Sequence, residues 1–218
     1  MNIKRKELTR IIESIPTFSK PKVYFEQYVL PGNVASRLLW IAETVYGDIS
    51  NNIIIDLGCG TGRLSVGAAL LGAEYVISVD VDFDAVALFK NVLYSDIFPK
   101  VSSKIDIVCA DVRFFNIVNR EKISSNRKVI VIQNPPFGVH RKGYDVLFLS
   151  KALELAHIVY TLHKSSTKDY VINYIENKKF VVTELFKESI RIPMMYSFHR
   201  KRFHKVNIVA LRCERRNY

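Results

Sequence analysis

Ile53-Ile54-Ile55-Asp56-Leu57-Gly58-Cys59-Gly60-Thr61-Gly62 joins a β-branched run to a glycine-rich turn. A helical pattern follows at once, with Leu64, Ala68 and Leu71 recurring on one face. Gly58 and Gly60 permit positive φ and let a ligand approach the backbone closely. Strand, glycine loop and helix in this order open a nucleotide-binding βαβ unit, which makes the chain α/β. The spacing Gly58-x-Gly60-x-Gly62 departs from the dinucleotide fingerprint, and no Gly-Lys-Ser/Thr follows to make a phosphate loop. Asp56 stands at the end of the first strand. A carboxylate beside so dense a turn suits a cationic ligand better than a pyrophosphate, although it serves equally as a turn cap.

Two further runs repeat the arrangement. Tyr75-Val76-Ile77-Ser78-Val79 ends in Asp80 and Val81. That acid lies about 20 residues beyond the glycines, where a ribose-binding carboxylate belongs. Ile105-Asp106-Ile107-Val108-Cys109 leads to Asp111 and Val112, and an acid there can accept from the exocyclic amine of an adenine. Each acid alone suits a cap or turn. Three at the carboxyl ends of three successive strands fall along the edge where open α/β sheets bind ligands. S-adenosylmethionine, which carries an ammonium and a sulfonium and no phosphate, suits such a site. Cys59, Gly60 and Leu64 join Asp56, Gly58, Asp80, Val81, Asp111 and Val112 as its candidate contacts.

A fourth apolar run, residues 128–133, ends in Asn134-Pro135-Pro136-Phe137. Two prolines lack backbone donors and cannot continue a central strand. The chain leaves the sheet with an amide, a free carbonyl and an aromatic ring side by side. Such a set suits a planar base held by its amino group; an ordinary turn is the alternative. Asn134, Pro135, Pro136 and Phe137 form the candidate catalytic group, with Asn134 also near the cofactor.

These motifs resemble those of class I S-adenosylmethionine-dependent methyltransferases acting on amino groups. Phe25-Glu26-Gln27-Tyr28, Leu162-His163-Lys164-Ser165-Ser166 and Tyr196-Ser197-Phe198-His199-Arg200-Lys201 narrow the resemblance to the methyltransferase-like protein five family. The resemblance implies a Rossmann-like, seven-stranded mixed sheet in the order 3-2-1-4-5-7-6, with helices on both faces. It implies N6-methylation of adenosine in small-subunit ribosomal RNA, and a small zinc-binding activator protein as heterodimeric partner. Gln27 and Tyr28, with Glu26, are then expected to cover the cofactor. Phe114, Phe115, Ile117 and Val118 are either the surface that meets the partner or core residues. Two other readings stand beside this one: a release-factor-type protein glutamine methyltransferase, and a non-catalytic RNA-binding assembly protein.

Lys and Arg total 32 against 21 acids, a net +11 that favours a polyanionic partner. His199-Arg200-Lys201-Arg202-Phe203-His204-Lys205 is a dense basic run, expected at a hairpin tip between two strands. His199, Arg200, Lys201, Arg202 and Lys205 are candidate RNA contacts, joined by Arg141, Lys142, His163 and Lys164. The three cysteines, 59, 109 and 213, include no C-x-x-C pair, so neither a disulfide framework nor a metal site is signalled. Cys109 reads as a small core residue. No apolar run reaches the ~18 residues of a membrane span and no signal peptide is evident, so a cytoplasmic protein without membrane contact is expected. The length suits a single methyltransferase domain, 1–218, with a helical lid segment (1–46) and a Rossmann-like core (47–218). Helices are expected over 3–15, 33–46, 145–157 and 167–178, a fifth strand over 158–163, and a final strand pair over 180–191 and 205–213.

Overall fold

Strand β1 (Ile53–Leu57) lies at the centre of a seven-stranded sheet and is almost wholly buried. It pairs in parallel with β2 (Tyr75–Asp80) on one side and β4 (Val129–Gln133) on the other. Strands covered on both faces read as continuous apolar runs, which is why the sequence announces them plainly. β3 (Ile105–Cys109) and β5 (Ile158–Lys164) extend the parallel region outward. β6 (Phe180–Pro193) and β7 (Phe203–Arg215) close the chain as an antiparallel pair, with β7 against β5. The order is β3-β2-β1-β4-β5-β7-β6, as the family resemblance implies. The computed structural model describes residues 3–95, 98–117, 127–193 and 203–216.

Alternation along the strands divides the core into two layers. Ile54, Ile130, Tyr160 and Ile208 pack on one face with α1 (Arg5–Ser14), α2 (Gly32–Thr44), α3 (Arg63–Leu70) and α4 (Phe83–Leu93). Ile55, Val131, Val159 and Val209 pack on the other with α5 (Tyr144–Leu155) and α6 (Lys168–Asn177). Each fully buried Ile or Leu here contributes about 1.5–3 kcal/mol.

The final strands run longer than their sequence pattern suggests, and five pairs, Ser189↔Asn207 to Pro193↔Phe203, extend beyond the end of β5. Lys205 therefore lies inside β7, exposed and opposite Arg191, rather than in a turn. The expected tip residues His199, Arg200, Lys201 and Arg202 lie outside the described residues, as does Val118. Cys109 is exposed, not core, because β3 is an edge strand with one neighbour among the described residues. Phe114 is 82% exposed, whereas Phe115 and Ile117 pack partly against the second core layer.

Candidate functional site

Parallel register brings the motifs to one edge. Leu57 pairs with both Val79 and Gln133, so Gly58, Asp80 and Asn134 emerge side by side. The Gly58 and Cys59 amides donate to the Val79 carbonyl at 2.8 and 3.0 Å, stitching the loop to β2. Gly60 has φ +52°, and a Cβ there would meet the Phe18 ring at 2.9 Å. Its amide donates to Asp80 Oδ2 at 2.8 Å, while Oδ1 accepts from the Asp82 amide at 2.9 Å. Burial raises the Asp80 carboxyl, and these backbone donors oppose the rise.

Asp56 is buried at the floor of the loop. Its Oδ2 accepts from Ser65 Oγ at 2.6 Å, and Ser78 in turn donates to Ser65. Its Oδ1 has no hydrogen-bond partner. Burial pushes this carboxyl up to about 7. The Cys59 thiol is pushed up as well, by burial first and then by Asp80 and Asp56, which keeps it protonated.

A segment preceding α2 covers this floor. Gln27 donates to Asp82 Oδ2 at 2.6 Å, and Lys22 pairs with Asp82 and Asp84 at 2.5 and 2.7 Å. Burial opposes it, but the bonds from Lys22 and Gln27 hold Asp82 below the usual carboxylate range. Glu26, with φ +51°, accepts the His140 amide at 2.7 Å, tying the segment to the chain beyond Phe137. Arg63 anchors the approach to this segment. Its Nη1 donates to the Leu30 carbonyl at 2.9 Å, and its Nη2 to those of Ile15 and Glu13 at 3.1 and 3.3 Å.

Tyr28 joins the cover to the Asn-Pro-Pro-Phe turn. Its hydroxyl donates to Asn134 Oδ1 at 2.8 Å. Its ring stacks on Phe137, with centroids 5.2 Å apart and planes at 27°. Burial pushes the Tyr28 hydroxyl well above its ordinary pKa, so it remains a donor. Phe137, expected to offer a free face to a base, is only 8% exposed and already carries Tyr28; Lys164 Nζ lies 5.6 Å from its centroid.

All twelve candidate cofactor contacts line one or other of two adjoining lobes. Asp80, Val81, Asp111 and Val112 line the first lobe, with Pro136. Gln27, Tyr28, Asp56, Cys59, Leu64 and Asn134 line the second, with Gly60. Gly58 and Asp80 belong to both. Asp111 is gripped by Arg113, whose Nε lies 3.0 Å from each carboxylate oxygen, and this holds its carboxyl low. Phe18, Gln27, Tyr28, Val29 and Arg63 line the second lobe and also an outer groove that reaches Pro31 and Arg191.

The candidate RNA contacts divide. Lys142 and Lys205 are exposed, and Lys164 is half-buried beside Phe137. Arg141 is held at the first lobe, its guanidinium 3.5 Å from the Tyr144 centroid and 4.5 Å from that of Tyr24. His163 is a correction. It is 1% exposed within β5, 2.9 Å from Thr161 Oγ1, and burial lowers it to about 4. It is neutral and interior, so it cannot meet a phosphate.

Sequence reasoning missed Arg63, Phe18, Tyr24 and Phe148. The Tyr144/Phe148 pair at i, i+4 just after the turn was an available signal. Among the described residues no His, Cys, Asp or Glu cluster is placed to hold a metal, and no helix is long and apolar enough to cross a membrane.

Comparison with known proteins adds three relatives. An uncharacterized protein of Methanocaldococcus jannaschii is 38% identical over 98% of this chain and 95% of its own. The rRNA N(6)-adenosine-methyltransferase METTL5 of Danio rerio is 32% identical, covering 96% of this chain and 98% of its own. The crystal structure of a Pyrococcus horikoshii protein described as a candidate RNA methyltransferase superposes with a TM-score of 0.83 at 38% identity over 99% of both chains. A family model described as ribosomal protein L11 methyltransferase matches residues 37–120, which span the glycine loop, β2 and β3.

Proposed function

This chain belongs to the METTL5 family of rRNA N(6)-adenosine-methyltransferases, and on that premise we propose that it methylates N6 of an adenosine in small-subunit ribosomal RNA. S-adenosylmethionine is the cofactor, and when bound it supplies an electrophilic methyl group on a sulfonium. The residues present fit it. Asp56 Oδ1 is a buried carboxylate oxygen without a donor, and Gly60 leaves no room for a side chain beside Phe18. Asp80 and Asp111 stand at strand ends to take the ribose and the adenine amine of the cofactor.

The observation that carries the catalytic reading is the position of Asn134. Its Oδ1 is already used as an acceptor, by Tyr28, at the wall of the lobe that holds Asp56 and Gly60. An adenine amine is a weak nucleophile because its lone pair is delocalised into the ring. Asn134 Oδ1 and the Pro135 carbonyl accept its two hydrogens and draw the nitrogen toward a pyramidal geometry. Pro135 and Pro136 stiffen the turn, so the acceptors are aligned beforehand. No strong general base is needed, since the proton becomes acidic only as the nitrogen quaternises. The target base takes the place of Tyr28 on Asn134 and Phe137. Stacking on Phe137 is worth ~1–3 kcal/mol, and the nucleotide must be unpaired or flipped.

Arg141, Lys142, Lys164 and Lys205 are the described basic residues we assign to the RNA backbone. The small zinc-binding activator is assigned to the β3 edge, where Phe114 is exposed and the strand has no outer neighbour among the described residues. Residues 1–46 act as cover and 47–218 as catalytic core of one domain. Near full-length similarity to RNA methyltransferases favours RNA over a protein glutamine, and the intact cavity favours an enzyme over an assembly factor.

The test is incubation with S-adenosylmethionine and either ribosomal RNA or release factor, followed by nucleoside and peptide mass spectrometry. N6-methyladenosine in the RNA arm is expected. A methylated glutamine, or no product with either substrate and the activator present, overturns the proposal.

A further inference from the structure

His163, interior rather than at the RNA surface, belongs to a buried polar trio. Gln133 Nε2 donates to Thr161 Oγ1 at 3.1 Å, and Thr161 Oγ1 lies 2.9 Å from His163 Nε2. All three side chains are buried. Alternation from Val131 and Val159 sets them on the face covered by α5 and α6. We propose that Gln133, Thr161 and His163 are positioning residues for the methyl transfer: they hold the end of β4 against β5 and so fix where Asn134 presents its oxygen. The inference rests on the role given to Asn134 above and deepens it.

Gln133 immediately precedes Asn134, and Gln133↔Thr161 is the last pair of the β4–β5 ladder. Pro135 and Pro136 have no amide hydrogen with which to extend it. The Gln133–Thr161 bond adds a side-chain tie to that last pair. β5 runs on to Lys164, which pairs with Ile208 of β7. Lys164 follows His163, and its Nζ lies 5.6 Å from the Phe137 centroid. The trio therefore lies along the strand ends that border both Asn134 and Phe137.

The bonding has a direction. With Gln133 as donor, the Thr161 hydrogen points at His163 Nε2, so the imidazole hydrogen sits on Nδ1. Burial lowers His163 to about 4, so the ring is neutral and offers one donor and one acceptor. Gln133 Oε1 and His163 Nδ1 have no hydrogen-bond partner among the described residues. Turning the amide over reverses each bond and leaves the same two ends unpaired. Such ends cost stability, and apolar side chains of similar size would not incur that cost. What directed bonds supply, and apolar packing does not, is a fixed spacing and rotation of the strand ends. Hydrogen bonds weaken steeply with misalignment, so a small shift of Gln133 is felt at Asn134 Oδ1.

Steady-state kinetics on ribosomal RNA, with thermal denaturation alongside, separates positioning from stability. The triple variant Gln133→Leu, Thr161→Val, His163→Leu removes every polar side-chain atom of the trio together. It is expected to melt at or above the wild-type temperature, yet to lose about 10–10²-fold in kcat with KM for RNA and cofactor unchanged. Thr161→Val alone is expected to lower kcat in the same way, and Thr161→Ser to keep most of the wild-type rate. If Thr161→Val fails to fold because its neighbours lose a partner, the triple variant decides; if the triple variant fails, the comparison of Thr161→Val with Thr161→Ser decides. Wild-type kcat in the folded triple variant overturns the proposal. So does a rise in KM with kcat unchanged, or a Thr161→Ser variant no better than Thr161→Val. Wild-type turnover by Asn134→Ala overturns the reading of the turn as well, whereas an impaired Asn134→Ala beside a fully active triple variant overturns the trio alone.

Discussion

Replacing Tyr28 by phenylalanine keeps a ring against Phe137 and removes one hydrogen bond. That bond, 2.8 Å from the hydroxyl to Asn134 Oδ1, is neutral and part-buried. Such a bond is worth about 1 kcal/mol, a factor of about five in an equilibrium constant. On the proposed role of Asn134, an incoming adenine amine competes in the wild-type protein with the hydroxyl for Oδ1. In Tyr28→Phe it has no rival there, while the stacked ring still has to move. RNA affinity is therefore expected to rise about fivefold, with cofactor affinity nearly unchanged. Fluorescence anisotropy with a labelled single-stranded oligonucleotide and S-adenosylhomocysteine gives the affinity, and steady-state kinetics separates KM from kcat. Weaker RNA binding in the variant, or a fall in kcat at constant KM, refutes the reasoning. Either result means that Tyr28 stays in place and orients Asn134 during turnover.

Asn134→Ala is expected to lower kcat by about 10²–10³-fold, the usual cost of losing a preorganised polar contact to the reacting group, with cofactor affinity nearly intact in calorimetry. Asp56 is raised to about 7, so the cofactor-free folded state binds more protons than the unfolded chain between about pH 4 and pH 7, and stability falls as pH rises through that window. Asp56→Asn removes that slope. Urea denaturation should find the variant more stable at neutral pH by at most about 4 kcal/mol, with the gain vanishing near pH 4; an equal gain at both ends contradicts the assignment. At Gly62, where φ is +87°, an added Cβ would lie 2.2 Å from the buried Phe89 ring. Gly62→Ala is thus expected to cost about 2–5 kcal/mol in the same denaturation assay. Lys164→Ala should reduce the salt dependence of RNA binding by about one phosphate contact, whereas His163→Gln should leave that slope unaltered.

The strands and the cavity walls were readable because each depended on short-range pattern, whereas the strand order followed only from the family resemblance. Ile53–Leu57 and residues 128–133 are apolar without interruption, and the acids and prolines mark where they stop. His163 was misassigned although the rule that corrects it was at hand. Adjacent strand residues face opposite sides, so His163 and Lys164 could not both meet RNA. Arg63 offered no such cue. Its value comes from carbonyls at positions 13, 15 and 30, which only the fold assembles. Nor could spacing reveal that Tyr28 reaches Asn134 across 106 residues of sequence.

Phe18, Gln27, Tyr28, Val29 and Arg63 line the inner lobe on one side and the outer groove on the other. They form a party wall between two chambers. A ligand that shifts these shared residues from one side changes the free energy of occupying the other by as much as it favours one of their positions, and thermodynamic linkage makes the two effects equal. A nucleic acid that holds this partition in one position tightens or loosens the methyl donor by the same factor that the donor imposes on the nucleic acid.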